Sequence, residues 1–209
     1  MAGELKNKII VVSGPSGAGK STICDKALKT FPTLKFSVSY TTREERKAEV
    51  NGVDYHFVDN ETFDKMIEAG EFAEYADVHQ KKYGTSKKDL NDMLSEGLSP
   101  LLDIDVQGAQ QLRETVENAV FIFVLPPSIE ECRERIYKRD RGDTEEEIER
   151  RLQVALKEIK EAPKYDYILV NDNLDNTFAA FKAVIEGSED ARIFKKNNML
   201  ERVEKSFLL

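Results

Sequence analysis

The sequence predicts an α/β fold: a mainly parallel sheet flanked by helices, extended by a small mixed α+β insert and a helical lid. Three observations predict it. Short, continuous apolar runs alternate with helical patterns, as expected for strands buried on both faces and joined by helical crossovers. A glycine-rich loop separates the first apolar run from the first helical pattern. Two stretches, 36–90 and 133–152, break the alternation, so 1–35, 91–132 and 153–209 are read as the core of a single unit that carries them.

Ile9–Val12 opens the sheet, and Leu101–Ile104, Val120–Leu125 and Tyr167–Val170 repeat its pattern. Between them, Ser128 with Glu131 forms a capping box ahead of Ile129, Cys132 and Ile136. Thr144 with Glu147 forms a second box, ahead of Ile148, Leu152, Ala155, Leu156 and Ile159. In the insert, Phe36–Tyr40, Tyr55–Val58 and Glu71–Val78 read as strands, with Asn51-Gly52 as a turn and one short helix after Asn60. The lid pairs an Arg-rich helix and a second helix around Gly142. The tail from Arg192 to Leu209 reads as a surface helix, packed on the core or frayed.

With 209 residues, 40% of them hydrophobic and 33% charged, the chain has the apolar content of a packed unit. Its 31 Lys and Arg against 39 Asp and Glu leave a net charge of −8, which argues against a nucleic-acid partner. An anionic small molecule remains compatible, because a local Arg cluster reverses the field within one cleft. No apolar run reaches the length of a membrane span, and the N-terminus lacks the apolar stretch of a signal peptide. Two cysteines, Cys24 and Cys132, make no disulfide framework; both fall at apolar helix positions and read as buried thiols. His56 and His79 share no metal-ligand spacing with them. The expectation is a cytoplasmic protein with no membrane partner.

Gly14-Pro15-Ser16-Gly17-Ala18-Gly19-Lys20-Ser21 fits G-x-x-x-x-G-K-[ST] at every required place. The glycines let successive backbone N–H groups surround phosphate oxygens, Lys20 adds a point charge, and the Ser21 hydroxyl can ligate Mg²⁺. The helix that starts near Lys20 presents its positive end to the same anion. An apolar strand before the loop and Ile23, Ala27 and Phe31 after it complete the context. The pattern marks a nucleoside triphosphate site in a P-loop core, but it leaves the phosphoryl acceptor open.

A second anion site is suggested by Arg43 and Arg46, three residues apart after the hydroxyl-bearing run Ser37-Val38-Ser39. A guanidinium fork suits phosphate oxygens. The competing reading is a solvated Arg pair neutralised by Glu44, Glu45 and Glu49. Here the chain resembles the guanylate kinase family over nearly its whole length. The resemblance rests on the phosphate loop through Thr22, on Phe36-Ser37-Val38-Ser39 with Thr41-Thr42-Arg43 and Arg46, and on Glu49-Val50-Asn51-Gly52 before Asp54-Tyr55. It continues through Glu71-Phe72-Ala73-Glu74, Tyr83-Gly84-Thr85, Leu102-Asp103-Ile104-Asp105-Val106-Gln107-Gly108 and Val170-Asn171-Asp172.

The resemblance implies transfer of the γ-phosphoryl of ATP to GMP with Mg²⁺, in a P-loop core with a GMP-binding insert and an Arg-bearing lid. It assigns Arg43 and Arg46, with the hydroxyls of Tyr55 and Tyr83, to the GMP phosphate. Ser39 and Thr85 are assigned to guanine O6, and Glu74 to N1–H and the N2 amine, where a carboxylate accepts two hydrogen bonds. Asp103 and Asp105 end an apolar run and face the phosphates, or Mg²⁺ and its waters, with Asp105 also counted in the GMP site; which acid approaches the metal stays open. Asn171 is placed near adenine. Arg135, Arg139 and Arg151 correspond to lid arginines, and Arg135 and Arg139 share a helix face.

The chain departs from the family pattern in three places. The loop Asp140-Arg141-Gly142-Asp143 is one residue longer than usual, which makes Arg141 an alternative to Arg139. Ala48 replaces a usual Gly, and Glu45 stands where Pro is common. Two other functions share parts of the pattern. A non-catalytic scaffold of the same fold is disfavoured by retention of Lys20, Arg46 and Arg151. A kinase for a ribose bisphosphate is disfavoured by Glu74 with Ser39 and Thr85, since a sugar acceptor needs no base pocket.

Overall fold

The computed structural model describes residues 7–78, 80–139, 144–203 and 207. The chain begins with β1 (Ile9–Ser13), α1 (Lys20–Thr30), β2 (Leu34–Phe36), β3 (Tyr40–Thr41), β4 (His56–Phe57) and α2 (Asn60–Glu68). It continues with β5 (Phe72–Val78), β6 (Lys81–Ser86), α3 (Lys87–Ser95), β7 (Ser99–Asp103), α4 (Val106–Thr115) and β8 (Ala119–Leu125). The last elements are α5 (Ile129–Arg139), α6 (Glu145–Ile159), β9 (Tyr167–Val170), α7 (Leu174–Ile185) and α8 (Lys196–Val203).

Five strands form the main sheet in the order β2-β7-β1-β8-β9, every adjacent pair parallel. The central strand β1 is buried throughout. Alternation divides its side chains: Ile10 and Val12 pack with Ile23 and Ala27 of α1 and Phe181 of α7. Ile9 and Val11 pack with Leu90 of α3, Ala109 and Leu112 of α4, and Met199 of α8. Apolar burial on both faces drives the layering, at about 1.5–3 kcal/mol for each fully buried Val, Leu or Ile. Met199 of α8 is buried, so the described part of the tail packs on the core. Cys24 and Cys132 are buried free thiols.

A second sheet, in the order β4-β3-β6-β5, is mixed: β3 and β4 run parallel, while β6 runs antiparallel to β3 and β5. The strand expected over Phe36–Tyr40 does not exist as one element. Leu34–Phe36 pairs with β7 at the edge of the main sheet, and Tyr40–Thr41 joins the small sheet. The hydrogen bonds explain the split: Ser37 N–H still donates to Leu101 O (2.9 Å), whereas Ser39 O already accepts from His56 N–H (2.9 Å). The strand read over Tyr55–Val58 is His56–Phe57 alone. In β5, the register against β6 shifts between Phe72 and Glu74. This bulge sets Ala73 in the main core and puts Glu74 opposite Thr85.

Helices α5 and α6 share a small core of their own, Cys132, Ile136, Ile148, Leu152 and Ala155. The Thr144–Glu147 capping box is complete at the start of α6. Asp140, Arg141, Gly142 and Asp143 lie outside the described residues, as do the side chain of Arg139 and all of His79. No helix among the described residues is long and apolar enough to cross a membrane.

β1 can end in a phosphate loop only because Gly14 lies flat against β8. Its φ is +143°, and a Cβ there would stand 2.1 Å from the Val124 carbonyl oxygen. We predict that Gly14→Ala costs about 2 kcal/mol or more of unfolding free energy in urea titrations. A loss below about 0.5 kcal/mol would show that the loop is not pinned to β8.

Candidate active site

The loop between β1 and α1 closes on itself through Ala18 N–H, which donates to Pro15 O at 3.1 Å. Lys20 Nζ donates to Gly14 O (2.7 Å) and lies 3.9 Å from Asp103 Oδ1, so the ammonium bridges the loop and the end of β7. Ser21 Oγ donates to Asp103 Oδ2 at 3.2 Å. Thr22 follows on the exposed first turn of α1.

Asn171, at the end of β9, is buried and donates its amide to Ala18 O at 2.8 Å. A Cβ on Gly19 (φ +90°) would meet that amide nitrogen at 2.3 Å. Asn171 thus buttresses the phosphate loop from behind. Arg135 joins it, donating to Asn171 O (3.1 Å) and Gly17 O (3.5 Å) while Glu131 holds its Nε at 2.8 Å. Arg151 of α6 reaches the loop from the other side and donates to Ser16 Oγ at 3.0 Å.

Two residues after Asp103, the chain turns into α4, with Asp105 as its N-cap: Asp105 Oδ1 accepts from Gly108 N–H at 2.8 Å. The two acids therefore serve different neighbourhoods. Asp103 faces Lys20 and Ser21, whereas Asp105 faces Glu74.

Glu74 is 4% exposed. Its Oε1 accepts from Thr85 Oγ1 at 2.5 Å, a cross-strand bond that the β5–β6 register dictates. Burial pushes its carboxyl up to about 7; the Thr85 hydroxyl opposes the shift, and the negative charge of Asp105 adds to it. Ser39, Tyr55 and Tyr83 line the same space, with the two tyrosine rings edge-on at 5.9 Å. Of the paired arginines, Arg46 lines the cleft. Arg43 stacks on the Tyr55 ring at 5.2 Å and is gripped by both Glu49 oxygens (2.8 and 2.9 Å). Glu49 also accepts from Arg46 N–H at 2.9 Å, so one carboxylate shapes the whole Arg43–Arg46 loop.

Gly14, Ser16, Lys20, Ser39, Arg46, Tyr55, Glu74, Tyr83, Asp103, Asp105 and Arg151 line one cleft of about 870 Å³, whereas Ser21, Arg43, Thr85, Arg135 and Asn171 are not among its lining residues. The structure adds residues that the sequence reading did not single out. Arg150 and Glu158 of α6 also line the cleft. Burial raises the Glu158 carboxyl to about 7, partly countered by Lys20. Its position was visible in principle: Arg151, Val154 and Glu158 are spaced i, i+3, i+7, one helix face. Ser21 and Asp103 offer hard oxygen donors that fit Mg²⁺, an ion that usually keeps waters and takes further ligands from phosphate.

Comparison with known proteins gives the family. The family model described as guanylate kinase matches residues 6–188. A guanylate kinase from Geobacter metallireducens is 45% identical over 199 residues, spanning 95% of this chain and 96% of the relative. One from Clostridioides difficile is 45% identical over 197 residues, spanning 94% and 96%. The crystal structure of guanylate kinase from Anaplasma phagocytophilum superposes with a TM-score of 0.72 at 34% identity, covering 100% of this chain and 98% of that one. With the family match running from β1 through α7, the chain belongs to the guanylate kinase family.

Proposed function

We propose that this enzyme transfers the γ-phosphoryl group of ATP to GMP, releasing ADP and GDP. The observation that carries the reading is the single cleft in which the anion cradle at Lys20 and the buried carboxylate of Glu74 face one another's ligands. A phosphate-binding loop alone would serve many acceptors; a buried carboxylate beside Thr85 and Ser39 selects a base with adjacent N–H donors. Guanine presents N1–H and an N2 amine, whereas adenine has an unprotonated N1 and no N2 amine.

The acceptor atom is a phosphate oxygen of GMP, already anionic, so no general base is needed. That oxygen bonds to the γ-phosphorus as the bridging P–O bond breaks and ADP leaves. Catalysis is then positioning and charge compensation. Lys20 and the loop N–H groups from Gly14 to Thr22 hold the donor phosphates. Arg46, with Arg43, Tyr55 and Tyr83, holds the acceptor phosphate. Arg151 meets the transferring group from the lid, with Arg139, or Arg141 in its place, while Arg135 of the same segment supports ATP binding by bracing the loop at Gly17. Asn171 keeps the loop in shape beside the ATP base site.

Ser21, and Asp103 directly or through water, would hold Mg²⁺, which when bound neutralises charge on the donor phosphates. The free thiols Cys24 and Cys132 suit a reducing compartment and support a cytoplasmic location.

The parent protein, given ATP and Mg²⁺, should phosphorylate GMP and leave AMP, UMP and a ribose bisphosphate nearly untouched in a coupled ADP-release assay. Robust turnover of the ribose bisphosphate in place of GMP would overturn the reading. In the same assay, Lys20→Met keeps side-chain length but removes the charge facing the phosphates. Its kcat should fall by a factor on the order of 10³ with the fold retained. A folded variant within tenfold of the parent would displace Lys20 from the chemistry.

The base pocket has its own test. A site built on hydrogen-bonded features rejects an analogue lacking them by a factor on the order of 10⁴. Glu74→Ala should raise the KM for GMP, leave the KM for ATP nearly unchanged and erase most of the preference for GMP over AMP. Residual activity should persist, because the arginines and tyrosines still hold the phosphate. Unaltered discrimination in that variant would remove Glu74 from base recognition.

A further inference from the structure

In the small sheet, β5 is an edge strand, with β6 on one side only. Its other edge meets α4 instead of a strand. The Gln111 side-chain amide donates to Tyr75 O (2.6 Å), and its carbonyl accepts from Tyr75 N–H (3.2 Å). One primary amide thereby satisfies both main-chain groups of an edge residue, as a neighbouring strand would. One turn further along, Thr115 Oγ1 lies within hydrogen-bond reach of Ala73 O (3.2 Å) as well as of Gln111 O in its own helix (3.1 Å). Tyr75 and Ala73 flank Glu74 directly, so the backbone that carries the buried carboxylate is tied to α4 on both sides.

The third contact is a missing side chain. Gly108, Gln111 and Thr115 are spaced i, i+3, i+7 and share one face of α4. A Cβ on Gly108 would stand 2.3 Å from Glu74 Oε2 and 2.9 Å from its Cδ. The carboxylate rests against bare helix backbone, with the Thr85 hydroxyl on its other oxygen. The same helix turn is capped by Asp105, two residues beyond the Asp103 that faces Lys20.

Resting on the reading of Glu74 as the guanine-binding group, we propose that Gly108 and Gln111 are positioning residues for base selection. Through them α4 sets where the Glu74 carboxylate stands relative to Thr85 and to the phosphate end of the cleft. Gly108 supplies the room and Gln111 supplies the anchor. Neither touches the substrate.

Gly108→Ala is the direct test. The methyl group displaces only the end of a flexible side chain, and Ala is the better helix former, so the thermal midpoint should not fall. The KM for GMP should nevertheless rise roughly tenfold or more, because a shift of about 1 Å in a recognition group is costly. The KM for ATP should stay within about twofold, and the preference for GMP over AMP should shrink as the KM for GMP rises. Gln111→Leu, which keeps bulk but loses both hydrogen bonds, should move the KM for GMP in the same direction.

Rescue separates positioning from general damage. Glu74→Asp shortens the carboxylate and should cost less activity with GMP in the Gly108→Ala background than in the parent. Purely additive effects, an unchanged KM for GMP, or equal rises in both KM values would overturn the proposal. Glu74→Ala run alongside distinguishes the two levels. If it loses discrimination while Gly108→Ala keeps it, base reading by Glu74 stands and the role of α4 falls. If neither variant alters discrimination, the reading of Glu74 falls, and the inference with it.

Discussion

A carboxylate taken out of water and hydrogen-bonded to a neighbouring hydroxyl is the constraint on which the acceptor half of this structure depends. Glu74 is buried against Gly108, and among the described residues the Thr85 hydroxyl is the one side-chain donor directed at it. Leaving a charge there without further donors is unfavourable, and its elevated pKa near 7 is the measure of that penalty. The surrounding architecture keeps it there all the same. The bulge in β5 turns Glu74 toward β6, the register places Thr85 opposite, and α4 closes the edge of the sheet. On the proposed reading, the two adjacent N–H donors of guanine bind the charged form of this carboxylate.

The donor half follows a different logic. Here the apolar strand β1 is anchored on both faces, and its C-terminal loop is clamped from behind by Asn171 and Arg135. A rigid cradle of N–H groups costs no reorganisation when phosphate arrives, which is where electrostatic catalysis gains its advantage. The Asp103–Ile104–Asp105 segment joins the halves, with one acid on the phosphate side and the other beside the base pocket. In this chain of net charge −8, four cations, Lys20, Arg46, Arg150 and Arg151, line the one cleft together with the carboxylates of Glu74, Asp103, Asp105, Glu147 and Glu158.

The phosphate loop and the long core strands were legible in the sequence because each is encoded locally. Ile9–Val12 and Val120–Leu125 are unbroken apolar runs, and the loop has a fixed spacing of Gly, Lys and Ser. The expected strand starts at Phe36 and runs on to Tyr40, missing Leu34 and Lys35, because only Leu34 of the three residues of β2 is buried, too little to mark a boundary. The strand Lys81–Ser86 begins with two lysines and shows its strand character through its pairing with β3 and β5. The acceptor site was legible only through family resemblance: nothing in the pattern around Glu74 distinguishes a buried carboxylate from a solvated one. Gly108 and Gln111 meet Glu74 and Tyr75 through tertiary packing, which spacing alone does not disclose.

Recognition of guanine by Glu74 can be read directly from the proton that GMP displaces. In the free site the carboxyl is poised at about 7, and two N–H donors from guanine require its charged form. Calorimetric titration of GMP at pH 7, in buffers of different ionisation enthalpy, should therefore show release of roughly half a proton per GMP from this group. The release should diminish as the pH is raised to about 8.5, where the carboxyl is already ionised. Glu74→Gln should lose this component, while the titration of the GMP phosphate, common to both proteins, cancels in the difference. Identical proton release from the parent and Glu74→Gln would contradict guanine recognition by the buried carboxylate.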